Sequence, residues 1–366
     1  MRFWDQTIVL SNLICVRFMK KMIMAAAAFA AAVFVTGCGR TADRRVEYPM
    51  NVIFETDLGN DIDDALALDM IYKYMDADSL NLLSISINKP GTAPAVYADI
   101  MNRWYGYPDV PIAVLREGAD CEADAVNYAK AVVDMKDASG NFVFARGNDS
   151  IDFLPVPEKE YRKILSAAED SSVTVISTGF FTNLARLLET GTDEYSALSG
   201  RELVEKKVKS LCCMAGCFND TIPSEYNVKK DIPAARKVLA EWPGRITLSP
   251  FELGFSIRYP AESIESDFVW AAHHPMVEAY KIYRQMPYSR QTWDLTAVLY
   301  AMEPDAGYFG ISPDGVISID ENGRTVFTPS AGGKHHYLTV DGVQKRRIKA
   351  HLVSMVTRRP KVCCVR

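Results

Sequence analysis

Four carboxylates, Asp57, Asp61, Asp63 and Asp64, fall within one short run, IFETDLGNDIDDALAL. An apolar, strand-like stretch at 52–54 precedes them. A helix-like stretch at 65–74 follows, with Leu66, Met70 and Lys73 at helical spacing. Like charges this close repel and raise one another's pKa. A strand-to-helix turn tolerates them when a cation or a helix N-terminus neutralises the cluster. The pattern points to a divalent-metal site at the carboxyl end of a strand, where open α/β sheets bind their ligands. The plainer alternative is an acidic helix start in which Asp63 and Asp64 are capping residues.

Such a turn needs a sheet behind it. Strand-like runs at 51–55, 82–87, 110–114, 173–177, 208–214 and 245–249 alternate with helix-like runs near 63–75, 92–105, 123–135, 158–168, 181–190 and 232–242. That alternation gives βαβ units and an α/β fold with a mostly parallel central sheet, Rossmann-like and open, flanked by helices. Residues 260–304 read as three helices, at 261–272, 275–285 and 292–302. The Gly- and Asp-rich segment 310–345, with VISID and RTVFTP, reads as a small β-excursion, and 346–358 as a closing amphipathic segment. No linker between 60 and 300 forces a boundary, so 49–366 is expected to be one catalytic domain.

Strand ends at one edge of a parallel sheet bring distant residues together. The second strand ends in Asn88, the fourth in Thr178-Gly179, and the fifth in a loop with Asn219, Glu225 and Asn227. Taken singly, the asparagines read as turn or cap residues and Glu225 as a solvated loop charge. Converging, they suit a polyhydroxylated ligand.

The chain has 366 residues and a net charge of −5, which excludes the basic footprint of a nucleic-acid binder. Met19-Lys20-Lys21, the apolar run 22–35 and Thr36-Gly37-Cys38 read as a secretory signal. Val35-Thr36-Gly37-Cys38 resembles a bacterial lipobox. That resemblance implies a lipoprotein signal peptide at 19–38, lipid attachment to Cys38 and a polar tether at 39–48. Residues 1–18 then form an upstream extension. The expected location is the bacterial cell envelope, periplasmic or outer-membrane associated; an uncleaved anchor is the alternative. Cys212, Cys213 and Cys217 lie in an apolar stretch without histidine partners and read as buried thiols rather than zinc ligands.

Four motifs in order resemble the inosine–uridine nucleoside hydrolase family over residues 51–305. They are TDLGNDIDDALAL, STGFFTNLA, CFNDTIPSEYNVKKDIPAA and WDLTAVLYAMEP. The resemblance implies one calcium ion held by Asp57, Asp64, the backbone carbonyl of Thr178 and Asp294. It implies Asp57 as general base toward the attacking water. Asp63 and Asn227 would bind the 2′- and 3′-hydroxyls of ribose, Asn219 and Glu225 the 5′-hydroxyl, and Asn88 would add a ribose contact. The implied reaction is hydrolysis of the N-glycosidic bond of a ribonucleoside to base and ribose, by a chain that family habit makes a homo-oligomer.

Two departures from the family pattern matter. Glu55 stands where the family has its first aspartate, and two extra residues separate Asp57 from Asp63-Asp64, so Asp61 is an alternative to Asp63. Trp293 stands where many members place a histidine acid. Indole has no useful acid at neutral pH but stacks on a purine, which implies a purine preference; the alternative is that Trp293 packs the helix start. His273, His274, His335 and His336 are the remaining candidate acids. The loops 116–150 and 255–292 are expected to line the base pocket. Two rival readings keep the fold: a hydrolase of another ribosyl or sugar compound, or a silent surface lipoprotein that binds nucleosides or sugars.

Overall fold

Strand β1 (Met50–Thr56) is buried along nearly its whole length, as a strand covered by helices on both faces must be. It pairs in parallel with β2 (Leu80–Ile87) on one side and with β4 (Val173–Ser177) on the other. The computed structural model describes residues 49–119, 127–147 and 149–361. Beyond β2 lies β3 (Ile112–Val114), and beyond β4 lie β5 (Val208–Met214) and β6 (Ile246–Ser249), all parallel. A two-stranded ribbon, β7 (Arg258–Tyr259) with β8 (Arg290–Gln291), stands apart from the sheet. The C-terminal strands are β9 (Gly310–Ile311), β10 (Gly315–Ile319), β11 (Thr325–Pro329) and β12 (His335–Thr339). The strand order is β11-β10-β12-β6-β5-β4-β1-β2-β3, with β9 on β12.

The helices follow the strands. They are α1 (Ile62–Asp76), α2 (Thr92–Tyr105), α3 (Tyr128–Val133), α4 (Pro157–Ala167), α5 (Thr182–Glu189), α6 (Gly200–Lys207) and α7 (Tyr226–Lys230). After them come α8 (Ile232–Glu241), α9 (Phe251–Phe255), α10 (Ala261–Ser266), α11 (Pro275–Tyr283), α12 (Trp293–Met302) and α13 (Gly342–Val356). Helices α1 and α12 pack against each other. Both carry carboxylates in their first turn, Asp63 and Asp64 on α1 and Asp294 on α12, where the helix dipole favours negative charge.

After β1 the chain builds β2 and β3 to one side, then returns to build β4, β5 and β6 on the other. This reversal leaves a crevice beyond the carboxyl ends of β1 and β4, the place where such sheets bind ligands. Asp57 follows β1 directly, and Thr178 follows β4 directly.

Several elements differ from expectation. The helix expected at 123–135 is α3 where it is described, over Tyr128–Val133, with 123–126 outside the described residues, and the one expected at 261–272 stops at Ser266. Helix α6 went unread although Ser199 and Glu202 form a complete capping box at its start. The β-excursion at 310–345 is more than an appendage. Its β10 and β11 are antiparallel, but β12 runs parallel to β6 and extends the main sheet. The segments 1–18, 19–38 and 39–48, with Cys38, lie outside the described residues. Among the described residues no helix is long and apolar enough to cross a membrane. Cys212 and Cys213 are buried in β5, and burial pushes the Cys212 thiol up to about 12.

Candidate active site

A cavity of about 460 Å³ opens at the switch point. Its polar lining includes Asp57, Asp63, Asp64, Thr178, Glu225, Asn227 and Asp294, drawn from the ends of β1 and β4 and the starts of α1, α7 and α12. Its aromatic lining is Tyr226, Phe251, Tyr283 and Trp293, with Arg284 beside them. Of the residues assigned to the metal, the ribose or the base, only Asn88 and Asn219 are absent from this lining.

Local geometry fixes each polar group. Gly59 takes a positive φ of 124°, and its N–H donates to the Tyr128 hydroxyl at 3.0 Å. This turns the aspartate loop back toward α1. Thr56, at the end of β1, donates through its hydroxyl to Asp64. The backbone N–H of Asp294 donates to Asp63 Oδ2 at 3.2 Å, tying the start of α12 to that of α1. Thr178 is held by its N–H and hydroxyl, both bonded to the Glu55 carbonyl at 2.9 and 3.1 Å. Asn227 Nδ2 reaches the Thr178 carbonyl at 3.4 Å and the Met214 carbonyl at 3.0 Å. Glu225 caps α7 and accepts from the N–H groups of Asn227, Val228 and Gly216.

Gly179 shows how tightly the crevice closes. A Cβ there would stand 2.4 Å from Asn88 Oδ1 and 2.7 Å from the Asp57 backbone nitrogen, so no larger residue fits. Asn88 is fully buried against this backbone, and neither atom of its amide has a hydrogen-bond partner. Asn219 lies on an exposed loop instead, its side-chain oxygen bonded to Thr221.

Charge is concentrated here. Burial first, and then repulsion from Asp57 and Asp63, push Asp64 well above the usual carboxylate range. Asp294 is raised by burial and by Asp63, Asp64 and Asp57. Burial and Asp61 raise Asp63. Glu225 rises to about 7 through burial, against three N–H donors that pull it down. A nearby ion pair involves Asp61, which lines the cavity and is gripped by Arg290, whose Nε donates to Oδ1 at 2.8 Å. Burial works against the Arg290 charge, but the facing Asp61 carboxylate outweighs it and raises the pKa.

This donor set is all oxygen, from carboxylates and a carbonyl. It suits a hard divalent cation, which would relieve the repulsion that burial intensifies. Among the described residues no three His, Cys, Asp or Glu side chains stand close enough to make a ready cage. The carboxylates share the cavity while Thr56 and the Asp294 N–H hold two of them. The residues fit such an ion by chemistry.

Trp293 is fixed by its surroundings. Its Nε1–H donates to the Phe251 carbonyl at 2.9 Å, so that proton is not free for a leaving group. Its ring meets Phe251 at 5.4 Å between centroids and the Arg290 guanidinium at 5.0 Å. None of the candidate histidines lines the cavity. His273 pairs with Glu278 on the surface, His274 packs on Trp104, and His335 and His336 lie in β12.

Sequence reasoning missed Thr56, Asn60, Tyr226, Phe251, Tyr283, Arg284 and Arg290. It also missed Lys89, a fully buried lysine whose ammonium donates to Asn60 on the aspartate loop. A lysine directly after a strand-end asparagine was the only signal for that contact.

Residues 52–357 match the sequence model of the inosine-uridine preferring nucleoside hydrolases. The chain belongs to that family. No curated protein sequence is a significant match. Among solved structures, the fold is similar to the inosine-uridine preferring nucleoside hydrolase from Bacillus anthracis, with a TM-score of 0.64 and 18% identity, over 84% of this chain and 99% of that one. It is also similar to the purine-preferring ribonucleoside hydrolase from Gardnerella vaginalis, with 0.63 and 15%, over 84% and 98%. A third similar structure is the type III effector protein XopQ complexed with adenosine diphosphate ribose, with 0.62 and 14%, over 86% and 95%. At these identities the likeness shows the fold. Family membership makes this hydrolase an enzyme of N-glycosidic bonds, in a family that is typically metal-dependent.

Proposed function

We propose that this hydrolase cleaves ribonucleosides to free base and ribose, with calcium as its ion and purine nucleosides as its better substrates. One observation carries the reading: five aspartates, Thr178, Glu225 and Asn227 line one cavity of nucleoside size. Asp57, Asp64, the Thr178 carbonyl and Asp294 would hold the ion. When bound, it supplies positive charge that orders the ribose diol and makes the attacking water more acidic.

The remaining work falls to the chain. The Asp57 carboxylate takes the proton of the attacking water. Asp63 and Asn227 accept and donate to the 2′- and 3′-hydroxyls, and Glu225 holds the 5′-hydroxyl, with Asn88 beneath the pocket floor. As the glycosidic bond lengthens, positive charge grows on the ribose, and the surrounding carboxylates stabilise it by several kcal/mol. Trp293 and its aromatic neighbours stack on the departing base. A lipid anchor on Cys38 places the enzyme on the cell envelope, where it scavenges nucleosides.

A second reading is supported by the similarity to a protein complexed with adenosine diphosphate ribose and by Arg284, an exposed guanidinium on the cavity wall. On this reading the substrate is another ribosyl compound. The test incubates purified protein with inosine, adenosine, guanosine, uridine and adenosine diphosphate ribose, with and without chelator. Ribose released fastest from the purine nucleosides, stopped by chelator and restored by calcium, is the expected result. Binding without release from any of them overturns both readings.

A further inference from the structure

The Asp61–Arg290 pair joins positions 229 residues apart in the chain. The Arg290 side chain is 12% exposed and grips both oxygens of Asp61 through two nitrogens. Its guanidinium carbon stands 5.0 Å from the Trp293 ring centroid and 5.2 Å from that of Tyr283. Its backbone N–H is bonded to the Tyr280 hydroxyl at 3.1 Å, and β8 is paired to β7. The arginine is thus fixed at its root as well as at its tip.

What it touches gives it a role. Asp61, Tyr283 and Trp293 all line the cavity, and Arg290 does not. Asp61 belongs to the aspartate loop, two residues before Asp63. Tyr283 and Trp293 belong to the aromatic lining. One guanidinium therefore ties the sugar-binding loop to the base-binding wall from behind. Arginine suits this link: its flat fork matches a carboxylate bidentately while its faces lie against aromatic rings, and lysine cannot do both. A partly exposed ion pair adds little to stability, so the arrangement is better explained by geometry than by stability.

We propose that Arg290 is a positioning residue that sets the spacing between the aspartate loop and the aromatic wall, and so makes the pocket selective for ribosides whose leaving group is a flat ring. This rests on the proposed reading of the cavity as a riboside site. The competing view is that Arg290 merely secures the β7–β8 ribbon.

The two views differ in what a ring on the ligand is worth. The probes are iminoribitol, which mimics the sugar alone, and the same compound carrying a phenyl group at C1. Both inhibition constants are measured on the wild-type enzyme and on Arg290→Gln, Arg290→Lys and Asp61→Asn, each checked for folding by thermal melt. Stacking on one aromatic side chain is worth about tenfold or more in affinity. In Arg290→Gln the advantage conferred by the phenyl group is expected to fall about tenfold. Asp61→Asn, which cuts the same link from the other side, should show the same loss, and Arg290→Lys an intermediate one. A phenyl advantage that is unchanged in both Arg290→Gln and Asp61→Asn overturns the inference, as does an equal weakening of both probes. Should Arg290→Gln fail to fold, Asp61→Asn decides alone. A wild-type enzyme that binds neither probe defeats the riboside reading itself.

Discussion

The carboxylate side of the cavity is assembled from residues placed directly after strands or in the first turn of a helix. Asp57 follows β1, Thr178 follows β4, and Asp63, Asp64 and Asp294 open α1 and α12. The aromatic side draws on short helices outside the sheet, with Phe251 opening α9 and Tyr283 ending α11, while Trp293 stands beside Asp294 at the start of α12. The first side is positioned by backbone that the sheet cannot shift. The second is positioned by side chains holding one another, such as Trp293 on Phe251 and Arg290 between Asp61 and the rings. A sheet edge tolerates little variation, whereas a wall of interlocked side chains can be rebuilt. On the proposed reading, chemistry belongs to the first side and selectivity to the second.

The largest effect should come from the carboxylate side. Asp57→Ala is expected to lower kcat/KM on inosine about a thousandfold, equivalent to about 4 kcal/mol, with an unchanged melting curve. Residual activity within tenfold of wild type would remove Asp57 from the chemistry and undo the division just drawn.

The next prediction concerns what lies beneath that side. Glu55 is fully buried, and burial lifts its carboxyl from 4.5 to about 7 although Tyr161 and other donors pull it down. The folded state thus holds the proton more tightly than the unfolded chain. The resulting stability is full below pH 4.5 and is lost as the pH rises to about 7. Glu55→Gln keeps an acceptor for Tyr161 and cannot ionise. Relative to wild type it should gain stability between those pH values, by up to about 3 kcal/mol above pH 7. Denaturant unfolding at pH 5 and pH 8, with chelator present, measures it. A difference between variant and wild type that does not change with pH would contradict the prediction.

The smallest effect belongs to the aromatic side. Trp293→Ala should cost about tenfold in kcat/KM on inosine and distinctly less on uridine, because a purine offers the larger face for stacking. Equal losses on both substrates would mean that Trp293 only packs the start of α12, and that the wall does not select among bases.

The two sides also differ in how far they could be read beforehand. The aspartate loop is contiguous in sequence, and the parallel sheet announces itself through alternating apolar runs, so both were legible. Glu225 and Asn227 were legible as polar residues after a strand, whereas Asp294 was found only through a motif resembling a family. Arg290 could not be found either way. An ion pair across 229 residues leaves no periodicity, and a lone arginine before a tryptophan looks like any surface charge. Asn219 shows the opposite error: it has the expected spacing from Glu225, yet its loop bonds to itself on the surface. The β12 strand was hidden because His335 and His336 break the apolar signature of a parallel strand.

The placement of β12 has a consequence for where this protein can be cut. It covers the hydrogen-bonding rim of β6, and α13 then returns to pack on α1, the helix that carries Asp63 and Asp64. The buried ammonium of Lys73 on α1 is bound to the carbonyl of Arg358, just past α13. Truncation before residue 335 would strip β6 bare, inviting a foreign strand to dock there, and would take the buttress from behind the aspartate helix. The tail thus both closes an edge of the sheet and supports the aspartate helix from behind.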